Sequence, residues 1–265
     1  KMAEENEDYG SALKEAQKLG YAESDPTNDV EGIDAMYKLA ILSSLAFHTK
    51  VPYAKVFREG ISSVDKADIA YGKQLGYTLK LLAIGKNTPR GIEVRVHPTF
   101  IRNTHPLASV NDSFNAVYFK GDAMDDIMLY GRGAGALPTG SAVVGDVIYA
   151  ATHSDIKYST FKNTAAADRE TKFVSDFESA YYLRLSAADQ AGVLAKVSGI
   201  LAKYNVSIVE LVQKGGTGSG TAEKGDRVPL ILITHATTEN SIRGAANKID
   251  ASGIADVEAV IRVEA

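Results

Sequence analysis

The last third of the chain alternates between strand and helix patterns in a fixed order. From residue 180 onward its pieces read AYYLRLSAAD, AGVLAKVSGILAKYN, VSIVELVQKG, VPLILITHAT, ENSIRGAANKIDASG and VEAVIRVEA. The second and fifth pieces predict helices, and the other four predict strands. The order β-α-β-β-α-β is that of the ferredoxin-like split β-α-β fold. We therefore predict a ferredoxin-like domain at residues 179–265.

One stretch of this region resembles a regulatory module. The segment YYLRLSAADQAGVLAKVSGILAKYNVSIVELVQK, Tyr181–Lys214, resembles an ACT domain, which binds small ligands. In that family the turn matching Asp189–Gly192 opens the first helix, and its backbone amides meet an amino-acid carboxylate, as helix N-termini bind anions. Ala191 stands where ACT domains usually have proline, which loosens the turn. The resemblance also implies edge-to-edge pairing of two such domains, and so a homodimer.

The ACT resemblance implies four effector contacts and leaves alternatives for two of them. The four residues are Asp189, Gly192, Asn205 and Gln213. The alternatives are a strand-end turn at Asn205 and an exposed strand face at Gln213. The hairpin KGGTGSGTAEKGDRV, residues 214–228, predicts a mobile loop because it is rich in glycine. It either folds over an effector or is a tolerated insertion.

A second informative stretch lies near the start of the chain. The segment YAESDPTNDVEGIDAMYK, Tyr21–Lys38, places five carboxylates within 12 residues and a lysine four positions after the last. These side chains are Glu23, Asp25, Asp29, Glu31, Asp34 and Lys38. The Asp25-Pro26 pair predicts a turn, and the apolar spacing after it predicts a helix near residues 30–47. Asp34 and Lys38 then share one helix face.

The pairing of Asp34 with Lys38 suits proton transfer. An aspartate held against a lysine ammonium orients it, and the ammonium can donate a proton to an oxygen that gains negative charge. The other carboxylates would hold the amino group of an amino-acid substrate. The alternative is a capped amphipathic helix with one exposed ion pair, worth about 0.3–0.5 kcal/mol.

Four pieces of sequence resemble homoserine dehydrogenases. They are GYAESDPTNDVEGIDAMYKLAILSSLAF (Gly20–Phe47), HPLASVNDSFNAV (His105–Val117), FKGD (Phe119–Asp122) and GRGAGALPTGSAVVGDV (Gly131–Val147). The resemblance covers residues 1–153, and the motifs are specific in order and spacing. It implies nicotinamide-dependent interconversion of L-homoserine and L-aspartate 4-semialdehyde, in threonine, methionine and isoleucine biosynthesis.

The same resemblance implies roles for individual residues. Lys38 would exchange the proton of the substrate hydroxyl, with Asp34 orienting it. Glu23, Asp29 and Asp34 would bind or position homoserine, Tyr21 would line the pocket, and Gly20 and Gly135 would contact the nucleotide. NAD or NADP is the implied cofactor, and L-threonine, bound to the ACT domain, is the implied inhibitor.

The motif GRGAGA at residues 131–136 formally matches the G-x-G-x-x-G/A dinucleotide fingerprint. We do not predict a Rossmann domain there, because polar sequence follows the helix and no second parallel strand completes the unit. The chain also begins inside a helical pattern, residues 9–19, with no glycine-rich turn before it. We therefore expect a C-terminal fragment, inactive alone, whose nucleotide is bound mainly by an upstream domain.

The predicted organisation is α+β throughout. Residues 1–153 form a substrate and dimerisation domain with a mixed sheet and helices on one face, residues 154–178 a linker, and residues 179–265 the ACT domain. Predicted helices are 9–19, 30–47, 66–75 and 141–153, and predicted strands are 76–84, 91–98, 115–120 and 126–130. Two alternatives stay open: a non-catalytic amino-acid-binding regulatory or dimerisation fragment, and a hydroxyacid dehydrogenase, against which the acid-rich segment argues.

Composition excludes several classes of function. The net charge of -4 provides no basic field for nucleic acid or an anionic membrane. The apolar runs are too short to span a bilayer. The absence of cysteine rules out disulfides and thiolate metal sites, and the five histidines show no metal-ligand spacing. His97 and His105, each before a proline, are predicted to be structural. A cytoplasmic enzyme without a metal is the expectation.

Overall fold

The computed structural model describes residues 1–153, 171–213 and 227–264. Its helices are α1 (Tyr9–Lys18), α2 (Thr27–Val30), α3 (Ile33–Ala46), α4 (Lys66–Gln74), α5 (Ala136–Thr152), α6 (Val193–Lys203) and α7 (Glu239–Ser252), with 3-10 turns at Tyr53–Lys55 and Pro106–Ser109. Its strands are β1 (Phe57–Arg58), β2 (Tyr77–Thr88), β3 (Gly91–Arg102), β4 (Phe114–Gly121), β5 (Asp125–Arg132), β6 (Glu178–Ala188), β7 (Ile208–Gln213), β8 (Arg227–Thr234), β9 (Thr237–Thr238) and β10 (Ala255–Glu264). The predicted α+β fold class is confirmed.

The C-terminal part, residues 178–264, has the ferredoxin-like arrangement that the sequence predicts. Its long strands lie in the order β10-β6-β8-β7, and each neighbouring pair is antiparallel. Leu183 and Leu185 of β6 pack with Leu201 of α6 and Ile249 of α7 in one buried core. Alternate side chains of β6 reach this core because successive residues of a strand point to opposite faces of the sheet.

The N-terminal part, residues 1–153, is built around the β2–β3 hairpin. Helix α3 packs on this hairpin and contributes Met36 and Leu39 to a core that contains Val94 and Val96 of β3. Residues 92–101 of β3 are all buried, whereas β2 is only half-buried. β3 is therefore the central strand of this part of the fold.

The two parts of the chain share one sheet. β2 pairs with one edge of β3, and three segments lie in turn along its other edge. Phe173 bridges Ile92, β1 pairs in parallel at Arg95 and Val96, and β10 pairs in parallel at residues 99–101. Since β10 also pairs with β6, it joins the ferredoxin-like strands to the N-terminal strands in one eight-stranded sheet. We call the β3–β10 contact the domain junction.

The helix predicted over residues 30–47 is present as α3, and a short helix that was not predicted, α2, precedes it. Gly32 separates them with a left-handed backbone at φ +70°. A Cβ at Gly32 would lie 2.9 Å from Cγ1 of Val96, so only glycine lets the bend approach β3 this closely. The bend sets the direction in which α3 presents Asp34 and Lys38.

Strands β4 and β5 form a separate two-stranded antiparallel sheet. They fall where strands were predicted but are longer, and α5 begins at Ala136 rather than near residue 141. Every residue of β5 is exposed, as are Leu137, Val147 and Ile148 of α5. Exposed apolar side chains in such number are typical of a contact with another domain or subunit.

Some predictions fall on residues that the structure does not describe. Most of the glycine-rich hairpin at 214–228 and residues 154–170 of the predicted linker lie outside the described ranges. Of the linker, Phe173 lies beside β3 and Phe177 is fully buried. Within the described ranges no helix is long and apolar enough to cross a membrane.

Candidate active site

The acidic segment, Tyr21–Lys38, is held against α1 at its start. Gly20 ends α1 with a positive φ of +77°. The side-chain amide of Gln17 then donates hydrogen bonds to the carbonyl oxygens of Glu23 at 2.9 Å and Ser24 at 3.2 Å. The backbone that carries Glu23 is therefore fixed to the preceding helix, and the Tyr21 side chain is left 60% exposed.

Two of the five carboxylates are occupied by local structure. Asp25 accepts hydrogen bonds from the hydroxyl of Thr27 at 2.6 Å and from its amide at 3.2 Å, and these lower the pKa of the Asp25 carboxyl. Glu31 accepts from the hydroxyl of Ser62 at 2.7 Å. Arg58 also donates to the Glu31 carbonyl oxygen. Asp25 and Glu31 therefore shape the segment.

The other three carboxylates lie where a substrate could reach them. Asp34 contacts the ammonium of Lys38 at 2.6 Å, and both side chains are more than half exposed. Asp29, within α2, accepts from the amide of Glu23 at 3.4 Å, which brings its carboxylate to the backbone of Glu23. The predicted face shared by Asp34 and Lys38 is present, so the segment offers one oriented ammonium and free carboxylates for a cationic group.

Gly135 lies at the junction between the β4–β5 hairpin and α5. Its φ of +125° and ψ of +151° are open only to glycine, and its carbonyl oxygen accepts from Thr139 in the first turn of α5. β5 pairs antiparallel with β4, so the GRGAGA motif does not belong to a parallel β-α-β unit. A Cβ at the neighbouring Gly133 would fall 1.3 Å from Nδ2 of Asn115, which explains why that position is glycine.

Sequence comparison identifies the family to which the chain belongs. Residues 1–148 match the family described as homoserine dehydrogenase. The chain belongs to the homoserine dehydrogenase family. Residues 181–253 match the ACT domain, in agreement with the ferredoxin-like arrangement of the C-terminal part.

Individual members of the homoserine dehydrogenase family align along nearly the whole chain. The enzyme of Neisseria gonorrhoeae is 41% identical over 256 residues, 94% of this chain and 58% of its own length. That of Pseudomonas aeruginosa is 41% identical over 270 residues, 99% of this chain and 61% of its own length. The crystal structure of a homoserine dehydrogenase from Thiobacillus denitrificans superposes with a TM-score of 0.87 at 40% identity, over 99% of this chain and 60% of that one. The chain thus spans about 60% of the length of these relatives.

The ACT residues of this homoserine dehydrogenase family member do not all come together. Gln213 donates to the Asp189 carboxylate at 3.3 Å, and Gly192, at φ +90°, caps α6 beside them. Asn205 follows the other end of α6, an 11-residue helix about 16 Å long. Its left-handed φ of +56° fits the alternative of a strand-end turn. Asp189, Gly192 and Gln213 thus form one group, and Asn205 lies apart.

Sequence reasoning missed a cluster of charges between the two parts of the chain. Asp68 of α4 is buried and accepts from Arg184 of β6 at 2.7 and 3.0 Å and from the hydroxyl of Tyr182. Arg262 of β10 is fully buried and pairs with Glu59 and Glu239. Burial raises the pKa of Glu239, but hydrogen bonds from Arg262 and Arg243 outweigh it and leave the pKa lowered. The only sequence signal was charged residues inside otherwise apolar strands.

His97 lies near Arg262 of this cluster, and the prediction that it is structural agrees with its surroundings. It is fully buried and stacks on Phe177 with ring centroids 6.0 Å apart. Its Nδ1 lies 2.9 Å from the Thr99 hydroxyl, and its Nε2 has no hydrogen-bond partner among the described residues. Burial, with Arg262 and Arg95 close by, lowers the pKa of His97 well below its usual value.

We expect His97 to make folding stability fall in mild acid. The folded protein keeps the ring neutral, whereas the unfolded chain takes up a proton below about pH 6.5. Proton binding therefore stabilises the unfolded state relative to the folded state as the pH falls. Urea unfolding should show the wild type losing about 1.4 kcal/mol per pH unit below that value relative to His97→Gln. Between pH 7.5 and 8.5, where the ring is neutral in both states, the two stability curves should run parallel. Parallel curves down to pH 5 would contradict the prediction.

Proposed function

We propose that the protein containing this chain interconverts L-homoserine and L-aspartate 4-semialdehyde with NAD or NADP, in threonine, methionine and isoleucine biosynthesis. The observation that carries the proposal is the Asp34–Lys38 pair at 2.6 Å within a segment whose free acids, Glu23 and Asp29, suit an amino-acid substrate. Membership of the homoserine dehydrogenase family supports the same reaction. A cytoplasmic location is part of the proposal.

Lys38 donates the proton in one direction of this reaction and accepts it in the other. Toward the alcohol, negative charge grows on the carbonyl oxygen, and the Lys38 ammonium donates its proton there while Asp34 orients the group. Toward the aldehyde, the hydroxyl proton passes to the Lys38 amine. Glu23 and Asp29 hold the substrate ammonium, and the exposed ring of Tyr21 lines the site. These roles require the substrate oxygen to lie within hydrogen-bond reach of Nζ of Lys38.

The nicotinamide supplies the hydride chemistry when it is bound. We place Gly20 and Gly135 against the nucleotide, because a glycine has no side chain to keep a ligand from the backbone, and a Cβ at Gly20 would meet no atom within 4 Å. The apolar α5 surface begins directly after Gly135. We propose that the rest of the nucleotide is held by a part of the protein outside these 265 residues, and that the 265 residues alone are inactive.

The assay that tests this function is homoserine-dependent reduction of NAD or NADP. The 265-residue chain and the longest natural protein that carries it are compared, with a 2-hydroxy acid as the alternative substrate. Turnover of homoserine by the longer protein is the expected result. Turnover of the hydroxy acid alone would favour a hydroxyacid dehydrogenase, and no turnover by folded protein would favour a regulatory or dimerisation module.

We also propose homodimerisation and feedback inhibition by L-threonine. ACT family membership supports both, and the exposed apolar surface of β5 and α5 offers area that an assembly would bury. Asp189, Gly192 and Gln213 form the proposed effector group, with Asn205 reaching the effector only from a different domain copy. Sedimentation at several protein concentrations tests the dimer.

Calorimetry with L-threonine is expected to give saturable heat that Gly192→Ala weakens. An alanine held at φ +90° raises the energy of the backbone by about 1–2 kcal/mol. The turn is therefore expected to change its conformation, which moves its backbone amides out of the geometry that binds an anion. Gly199→Ala, within α6, is the matched control, because a Cβ there meets nothing within 4 Å. Absence of heat with threonine and related amino acids would refute effector binding, and equal affinity in both variants would refute the role of Gly192.

A further inference from the structure

We propose that Glu59 is a positioning residue that ties the acidic segment to the C-terminal part of the chain. The inference rests on the proposed function, because it treats the acidic segment as the substrate site. Three consecutive sets of contacts link Arg243 and Arg262 to the bend at Glu31. Each step is a direct contact between neighbouring groups.

The first step is the pair of hydrogen bonds that two arginines donate to the Glu59 carboxylate. Its Oε2 accepts from Nη1 of Arg262 at 2.7 Å and from Nη2 of Arg243 at 2.8 Å. Arg262 lies on β10 and Arg243 on α7, so both cations belong to the C-terminal part. The amide of Glu59 donates to the carbonyl oxygen of Val96 at 2.8 Å, which fixes the backbone as well. The side chain of Glu59 is therefore held by the C-terminal part of the chain, and its backbone is held by β3.

The second step is the contact of residues 60–62 with α2. The amide of Ile61 donates to the carbonyl oxygen of Val30 at 2.8 Å, and the Ser62 hydroxyl donates to Glu31 at 2.7 Å. A Cβ at Gly60 would lie 2.6 Å from the Val30 carbonyl oxygen, so the two backbones touch. A shift of Glu59 therefore carries over to Val30 and Glu31.

The third step is the bend itself. Glu31 lies between α2, which carries Asp29, and α3, whose first turn carries Asp34. Gly32 is the single residue between Glu31 and α3, and it packs against Val96. A displacement of Glu31 thus turns the start of α3 with Asp34 and Lys38. Because Asp29 and Asp34 are expected to bind or position the substrate, such a displacement weakens substrate binding.

The test is Glu59→Gln in the longest protein that carries the chain. We expect the KM for homoserine to rise about 3- to 30-fold, the range for residues that couple distant sites, with a smaller change in kcat. A purely structural role would instead lower kcat with the folded fraction and leave KM unchanged. Glu178→Gln is the matched control, because it removes another carboxylate that bridges the two parts, to Arg90 at 3.1 Å, away from Glu31.

Hydrogen exchange supplies a readout that needs no turnover. Amides of residues 27–38 should exchange faster in Glu59→Gln than in wild type or Glu178→Gln. An unchanged KM with unchanged exchange, or equal effects in the two variants, would overturn the proposal. If wild-type protein does not turn over homoserine, the proposed function fails, and exchange alone decides whether Glu59 positions the segment.

A gentler variant covers the case in which Glu59→Gln does not fold. Ser62→Ala deletes one exposed hydroxyl and its hydrogen bond to Glu31, with Ser63→Ala as the neighbouring control. Ser62→Ala should raise KM and exchange in the same direction, by less. No difference between these two serine variants in either measurement would overturn the proposal.

Discussion

Replacing Lys38 with alanine is expected to lower kcat for homoserine oxidation by about 10²- to 10⁴-fold, the usual contribution of a positioned acid or base. The folded structure should survive, because the Lys38 side chain is 65% exposed and, among the described residues, its ion pair is with a half-exposed Asp34. Steady-state assays with a thermal unfolding scan of the same preparation check both statements. Asp34→Ala should show a smaller loss, since it removes the orienting partner and leaves the ammonium.

Lys73→Ala is the control for this prediction. Lys73 is exposed in the last turn of α4, so its removal changes the net charge equally without touching the acidic segment. Its kcat and KM should equal those of the wild type. Full turnover by folded Lys38→Ala would remove Lys38 from the mechanism, and the acidic segment would then be a capped surface helix.

Arg262→Met is expected to destabilise the protein by about 3–5 kcal/mol, because it removes the buried partner of Glu239 and leaves the partly exposed Arg243 to pair with that carboxylate. Arg262 is fully buried, and it pairs with Glu239, whose side chain is 9% exposed, and with Glu59. Its guanidinium also lies 5.0 Å from the centroid of the Phe57 ring. Equilibrium unfolding in urea measures the change.

Arg90→Met provides the comparison for Arg262. Arg90 is 46% exposed; it pairs with Glu178, which is 55% exposed, and lies 3.8 Å from the buried Glu93. Water screens the charge of such an exposed cation, so its pairs contribute about 0–1 kcal/mol. A double variant, Arg262→Met with Glu239→Gln, should recover part of the lost stability, because the stranded charge is removed as well. Equal losses of unfolding free energy in Arg262→Met and Arg90→Met would show that burial of the Arg262 pair does not affect stability.

Most of the fold could be predicted because its signals are local. The order of strands and helices in the C-terminal part follows from side-chain periodicity, and the β2–β3 and β4–β5 hairpins join neighbouring segments. The short helix α2 was missed because four residues are too few to show a helical period. The reason for the glycine at position 32 is Val96, 64 positions later in the chain. The parallel pairing of β3 with β10 has no local signal, since more than 150 residues separate the two strands.

In the candidate site, too, the contacts between neighbouring residues could be predicted and the contacts with distant residues could not. The Asp34–Lys38 pair could be predicted because a helix brings residues four apart together. The sequence could not separate the carboxylates that shape the segment from those left free. Glu31 is engaged by Ser62 and Arg58, about 30 positions away, through a turn that no periodicity indicates. The roles of Glu23, Asp29 and Tyr21 stay predictions that the proposed assays address.

The parallel contact of β10 with β3 bears on how this chain could be shortened. Its last strand lies against the central strand of the N-terminal part, so a cut between residues 153 and 178 would not release two independent proteins. It would uncover the β3 edge at residues 99–101, and an unpaired edge recruits other chains into aggregates. Variants that test the proposed effector group should therefore carry substitutions at Asp189, Gly192 or Gln213 and keep the final strand.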